Sequence, residues 1–143
     1  LPRIDEAAET EEETSSELPC GNEHILLLDD ENFLIDSGRK MLEQLGYKVT
    51  AATGSSEALA AFRQAPDTFD LVITDYTMPQ MTGYDFALQL FETRPDIPVI
   101  LCTGYSETIS PEKAEAAGIS AFIYKPVSKR ELAIKIREVL DKK

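Results

Sequence analysis

From His24 onward, short runs of apolar and β-branched residues alternate five times with longer stretches whose apolar residues recur at helical spacing. That alternation limits the fold more than any other feature of the chain. Strand and helix units repeated in this way, joined by right-handed crossovers, give a parallel sheet covered on both faces. Five units in about 120 residues suit an α/β, flavodoxin-like (βα)5 three-layer sandwich with strand order 2-1-3-4-5.

The first run, Ile25-Leu26-Leu27-Leu28 after His24, leads through Asp29-Asp30-Glu31 into a helix that carries Leu34, Gly38, Met41 and Leu45 and stops at Gly46. Tyr47 to Ala52 is the second strand. Thr53 or Ser55 is expected to cap the next helix, whose Ala58, Leu59 and Phe62 face inward until Pro66 ends it. Leu71-Val72-Ile73-Thr74 reads as a strand buried on both faces that ends in Asp75. Pro79 and Gly83 shape the loop after it, before a helix from about Gly83 to Thr93. The fourth strand, Ile97 to Cys102, delivers Thr103-Gly104-Tyr105, and Ser110-Pro111 opens a short helix closed by Gly118. Ser120 to Tyr124 runs into Lys125-Pro126. Ser128 and Glu131 then form a capping box for a last helix with Leu132, Ile136, Val139 and Leu140 on its apolar side.

Composition sets the domain plan. With 143 residues, 43% of them apolar, the chain has material for one core and not comfortably for two. Residues 1–23 hold eight acids against one base and almost no large apolar side chain, which predicts an acidic flexible linker ahead of a domain at residues 24–143. The remaining 18 acids against 13 bases leave the domain acidic as well. An acidic surface argues against direct binding to nucleic acid or to an anionic membrane. No run approaches the ~18 consecutive apolar residues of a membrane span. Two cysteines, Cys20 and Cys102, make no disulfide framework, and a reducing cytoplasm fits them best.

In an open parallel sheet, ligands gather at the carboxyl ends of the strands. Asp29 and Asp30 end the first strand, Asp75 the third, Thr103 the fourth and Lys125 the fifth, so the fold brings all five to one edge. Two carboxylates about 4 Å apart repel by roughly 4 kcal/mol at an effective dielectric of about 20. Three of them call for a cation, and an all-oxygen set suits Mg2+ with part of its water shell retained. Lys125 and the Thr103 hydroxyl are then placed to hold phosphoryl oxygens, and a carboxylate can itself accept a phosphoryl group.

Asp29-Asp30-Glu31, Asp75-Tyr76-Thr77-Met78-Pro79-Gln80-Met81-Thr82-Gly83, Thr103-Gly104 and Lys125-Pro126 together closely resemble the receiver domain of two-component response regulators, over about His24 to Asp141. The resemblance implies that Asp75 takes a phosphoryl group from a phosphohistidine. It implies that Asp30 binds the metal directly and Asp29 through water, with Asp75 and the backbone carbonyl of Thr77 completing the protein ligands. It assigns Thr103 and Phe122 as the hydroxyl and aromatic of a conformational switch, and it implies a cis Lys125-Pro126 bond. The partners implied are a histidine kinase core, a histidine phosphotransfer protein or both. A homodimer, if the chain makes one, would use the fourth helix, fifth strand and fifth helix.

Leu1-Pro2-Arg3 resembles the closing strand of a histidine kinase ATP-binding domain, and the linker with Gly21-Asn22-Glu23-His24-Ile25-Leu26 resembles the join to a carboxyl-terminal receiver in hybrid kinases. On that reading the fragment is a phosphoacceptor and the parent chain the kinase. A stand-alone receiver with an acidic extension is the alternative. An aspartate-based phosphatase would share the nucleophile but needs an acid two residues on, where Thr77 stands. A flavodoxin-like electron carrier would need a hydroxyl- and glycine-rich phosphate loop where Asp29-Asp30-Glu31-Asn32 lies. A pseudo-receiver that only binds partners would not need the full acid, hydroxyl and lysine set. Taken singly, each residue also has a bland reading. Acids at Asp29-Asp30-Glu31 suit a helix start, Lys125 a solvated surface, and Phe122 and Cys102 a core. His24, with no histidine or cysteine partner nearby, reads as a solvated strand-edge residue.

Overall fold

The computed structural model describes residues 18–104 and 110–141. Five parallel strands form one sheet in the order β2-β1-β3-β4-β5, as the alternation predicts. The strands are β1 (His24–Leu28), β2 (Lys48–Ala52), β3 (Leu71–Asp75), β4 (Val99–Thr103) and β5 (Ala121–Tyr124). The helices are α1 (Asn32–Gln44), α2 (Ser55–Gln64), α3 (Gly83–Thr93), α4 (Pro111–Ala117) and α5 (Lys129–Leu140), with a 3-10 turn at Pro66–Thr68.

Side-chain alternation along β1 divides the core in two. Ile25 and Leu27 point to one face with Ile35 and Leu42 of α1 and Leu132 and Ile136 of α5. Leu26 and Leu28 point to the other, with Phe62 of α2, Phe86 and Leu90 of α3 and Ala114 of α4. β3 and β4 are buried along their whole length, which is why they read as unbroken apolar runs rather than alternating ones.

Helix starts follow local chemistry. The Ser110, Ser128 and Thr82 hydroxyls accept from the amides of Lys113, Glu131 and Asp85, each at 3.1 Å. Neither Thr53 nor Ser55 caps α2. Gly54 occupies the cap position with extended backbone, and Ser55 is buried with its hydroxyl directed to Gln80 Oε1 at 3.4 Å. At the far end of α1, Gly46 adopts φ 100°, a left-handed turn that suits glycine. A Cβ there would also strike the carbonyl oxygen of Gly21.

That contact belongs to a packed segment ahead of β1. Leu18 is buried in the core beneath α1 and α5, Gly21 N donates to Leu45 O at 3.1 Å, and Lys48 N donates to Glu23 O at 3.0 Å. Arg137 of α5 grips Glu23 with two bonds, 3.1 Å to Oε1 and 2.8 Å to Oε2. Residues 18–23 of the stretch read as linker from composition thus lie against the domain, whereas residues 1–17 fall outside the described residues. No helix among the described residues is long and apolar enough to cross a membrane.

Candidate functional site

The register of the sheet decides which side chains meet. Leu28 pairs with Thr74 and Asp75 with Cys102, so the residues after β1 and the last residues of β3 and β4 end level with one another. Thr103 pairs with Tyr124, and the amide of Lys125 donates to Thr103 O at 2.9 Å, fixing where the lysine leaves the sheet.

Asp75, 4% exposed, closes β3. One carboxylate oxygen from each of Asp29, Asp30 and Asp75 lies within 4.8 Å of the others. The Lys125 ammonium forms an ion pair with Asp75 Oδ1, and the Lys125-Pro126 bond is cis. Thr103, 3% exposed, closes β4 with its hydroxyl 3.0 Å from Gly104 O, to which it donates. Five residues read from separate parts of the sequence therefore share one edge. Thr77 sits exposed two residues beyond Asp75. Phe122 is half-buried on β5 opposite Leu101 and touches Tyr124, ring centroids 6.3 Å apart. Tyr76 is half-buried, and Tyr105 falls outside the described residues.

The electrostatics follow from this crowding. Burial pushes the Asp29 carboxyl up to about 6, and the charges on Asp75 and Asp30 push the same way, against the amide of Glu31 that donates to Asp29 Oδ1 at 3.0 Å. Burial works against the Lys125 ammonium, but the hydrogen bond to Asp75 and the charges of Asp75 and Asp29 outweigh it and hold the lysine above its ordinary range. Burial also lifts the Cys102 thiol to about 12, with Asp75 adding to it, so this cysteine is an inert thiol beside the site. One ammonium does not balance three carboxylates. A divalent cation would, and three clustered oxygen donors match the preference of Mg2+.

Two contributors to the site escape sequence reading. Cys102, legible only as core, is the ladder partner of Asp75, and its carbonyl accepts from Tyr76 N at 2.8 Å. Gly83, legible as a loop-shaping glycine, folds back so that its amide donates to Tyr76 O at 2.8 Å. A Cβ on Gly83 would collide with the carbonyl oxygen of Asp75 and come within 2.7 Å of Leu101 Cδ1. Only hydrogen fits there, so the start of α3 packs directly on the backbone of the candidate acceptor.

The sequence matches the family model described as response regulator receiver domain over residues 25–137. Over 136 residues it is 32% identical to the sensor kinase CckA of Brucella abortus, an alignment covering 95% of this chain and 14% of that protein. Over 117 residues it is 32% identical to the response regulator SaeR of Staphylococcus aureus, covering 82% of this chain and 50% of SaeR. The chain thus spans half or less of the length of these relatives. Among solved structures, a response regulator receiver domain protein from Clostridium thermocellum superposes with TM-score 0.80 at 30% identity, covering 84% of this chain and 95% of that one. A receiver domain protein from Methanospirillum hungatei gives TM-score 0.77 at 34% identity, covering 85% and 96%.

Proposed function

This chain belongs to the response regulator receiver domain family, and on that premise we propose that it accepts a phosphoryl group from a phosphohistidine onto Asp75 in a two-component phosphorelay. The observation that carries the reading is the Asp75 carboxylate at the sheet edge, joined to the Lys125 ammonium and clustered with Asp29 and Asp30. An Asp75 oxygen attacks phosphorus and forms the new P–O bond, while the P–N bond to the donor imidazole breaks and its electron pair stays on nitrogen. Lys125 moves from Asp75 to a phosphoryl oxygen as charge shifts there, and the Thr103 hydroxyl donates to a second. Asp29, Asp30, Asp75 and the carbonyl of Thr77 would hold Mg2+, which supplies positive charge to the phosphoryl oxygens when bound. Thr103 moving inward and Phe122 filling the space behind it form the switch that alters the surface of α4, β5 and α5, where a homodimer would form.

Intact-mass measurement after incubation with acetyl phosphate and Mg2+ tests the assignment. One added phosphoryl group is expected, absent in Asp75→Asn and absent when the metal is chelated. Equal labelling of the variant would overturn it.

For the parent protein, we place this chain as the receiver of a hybrid sensor histidine kinase, supported by the alignment with a sensor kinase over 95% of its length. Its partners are then a kinase core and a histidine phosphotransfer protein in the cytoplasm. The equal identity to SaeR favours a competing reading as the receiver of a separate response regulator. The complete reading frame discriminates: a kinase domain encoded before this segment supports the hybrid, and a start codon next to Leu1 removes it.

A further inference from the structure

Residues 18–23 lie at the amino ends of the strands, across the sheet from the edge that carries Asp75. Their main attachment is to α5. Leu18 fills a place in the cluster that also holds Leu132, Ile136 and Val139 of that helix. From its last turn, Arg137 Nη1 donates to Cys20 O at 3.3 Å, and the guanidinium grips both oxygens of Glu23. On the other flank Gly21 N donates to Leu45 O, and a Cβ on Gly21 would strike both Arg137 Nη1 and Tyr47 Cε1. The segment is threaded between α5 and the α1–β2 turn, where a glycine passes and a side chain would not.

Docking also has an unfavourable side. The Tyr47 hydroxyl and Arg137 Nε are buried against this segment with no hydrogen-bond partner among the described residues. Water would satisfy both if the segment lifted, so lifting regains polar contacts while it gives up the burial of Leu18 and a partly exposed ion pair. Opposed contributions of this kind leave a docked segment open to a modest push.

α5 can deliver that push. Pro126, Val127 and Ser128 alone separate it from Lys125, whose ammonium is held on Asp75. A group bound at Asp75 that draws the ammonium onto itself moves this short connection, and α5 with it. The contacts of Leu18, Cys20 and Glu23 all fit one position of α5, whereas the lifted segment is indifferent to where the helix lies. A shift of α5 in any direction therefore disfavours the docked state alone.

We propose that residues 18–23 are a latch, docked while Lys125 holds Asp75 and loosened when a phosphoryl group on Asp75 takes the lysine, so that phosphorylation releases the preceding chain from α5. The latch rests on the phosphoacceptor reading and adds to it a regulated output at the opposite end of the sheet. Linkage makes the coupling reciprocal, so a chain whose latch cannot dock binds a phosphoryl mimic more tightly by the same factor.

Amide hydrogen exchange followed by NMR tests the latch, with Mg2+ alone and with Mg2+ plus beryllofluoride as the mimic. Exchange at Gly21 and Lys48, whose amides donate to Leu45 O and Glu23 O, should rise at least fivefold with the mimic. The amide of Asp70 donates to His24 O at the same end of the sheet but outside the segment, and its exchange should hold within about twofold. Leu18→Asp combined with Glu23→Gln, which undocks the segment, should bind the mimic at least fivefold more tightly. Resonance shifts at Thr103 and Lys125 with unchanged or slower exchange at Gly21 would overturn the latch and leave the phosphoacceptor reading standing, whether or not the variant folds. Equal acceleration at Asp70, or unchanged affinity in the folded variant, would overturn it as well. No shift at Thr103 and Lys125 would overturn the phosphoacceptor reading and the latch with it.

Discussion

Gly83→Ala is the sharpest test of how the β3–α3 loop supports Asp75. An ideal Cβ on Gly83 strikes the Asp75 carbonyl oxygen and lies 3.1 Å from its carbonyl carbon and 2.7 Å from Leu101 Cδ1. Leu101 is buried in β4 and cannot swing aside without opening the core under α3. Either the start of α3 lifts by about an ångström, or the end of β3 shifts. Overpacking of this kind costs about 1–3 kcal/mol. The loss of backbone freedom in the unfolded chain returns roughly 0.4–1 kcal/mol. The clash is with backbone rather than the end of a flexible side chain, which puts the cost in the upper half of that range and the net destabilisation at about 1–2.6 kcal/mol, read from urea unfolding by linear extrapolation.

The rate should change too. Displacing a reacting group by about 1 Å can slow a reaction on the order of 100-fold, so phosphoryl uptake from acetyl phosphate should fall at least tenfold. Gly38→Ala is the matched control. Its Cβ meets only the Leu27 side chain, at 3.2 Å to a terminal methyl, and helix-interior Gly→Ala gains up to about 1 kcal/mol. Gly38→Ala should therefore be the less destabilising of the two by at least about 1 kcal/mol. Stability of Gly83→Ala within about 0.5 kcal/mol of wild type, outside the expected range, would refute the steric argument. A destabilised variant with an unchanged rate would show that α3 yields and Asp75 does not.

Mg2+ at ten times its dissociation constant should stabilise the folded chain by about 1.4 kcal/mol, seen as a rise in thermal midpoint of roughly 5 °C. Asp30→Asn should lose most of that rise, and an undiminished rise would remove Asp30 from the ligand set. The Arg137 guanidinium beside Glu23 holds that carboxyl below its ordinary value, so the pair stabilises the fold above about pH 4.5 and the contribution is lost as pH falls and Glu23 protonates. Both side chains are partly exposed, so Glu23→Gln should cost only about 1 kcal/mol at pH 7 and close to nothing at about pH 3. Equal losses at both values would assign the effect to packing. Beryllofluoride with Mg2+ should shift the amide resonances of Thr103, Phe122 and Tyr124, and unchanged spectra there would refute the proposed switch.

The sheet was legible because its central strands are buried on both faces. Leu71 to Thr74 and Val99 to Leu101 must be apolar or β-branched throughout. Once the strand ends are located, parallel order alone places Asp29, Asp30, Asp75, Thr103 and Lys125 on one edge, because each is the last residue of its strand or one of the first two after it. The α2 cap was not legible. Thr53 and Ser55 both have capping side chains, but the backbone turns at Gly54 between them, and Ser55 is taken into the interior instead. Propensity ranks candidates for a cap, and it does not say which residue the chain geometry delivers to that position.

The segment before β1 shows a different limit. Its composition is polar enough that an average over residues 1–23 reads as unable to fold, yet one leucine and one glycine change the outcome for its last residues. Leu18 finds an apolar slot beneath α1 and α5, and Gly21 lies so close to Gly46, Tyr47 and Arg137 that any side chain would be excluded. Glu23 is held by Arg137 from 114 residues away. Each of these contacts joins two places that are distant in sequence, and neither partner shows any local signal. The carboxylate edge escapes that limit because the topology, not a side chain's choice of partner, assembles it.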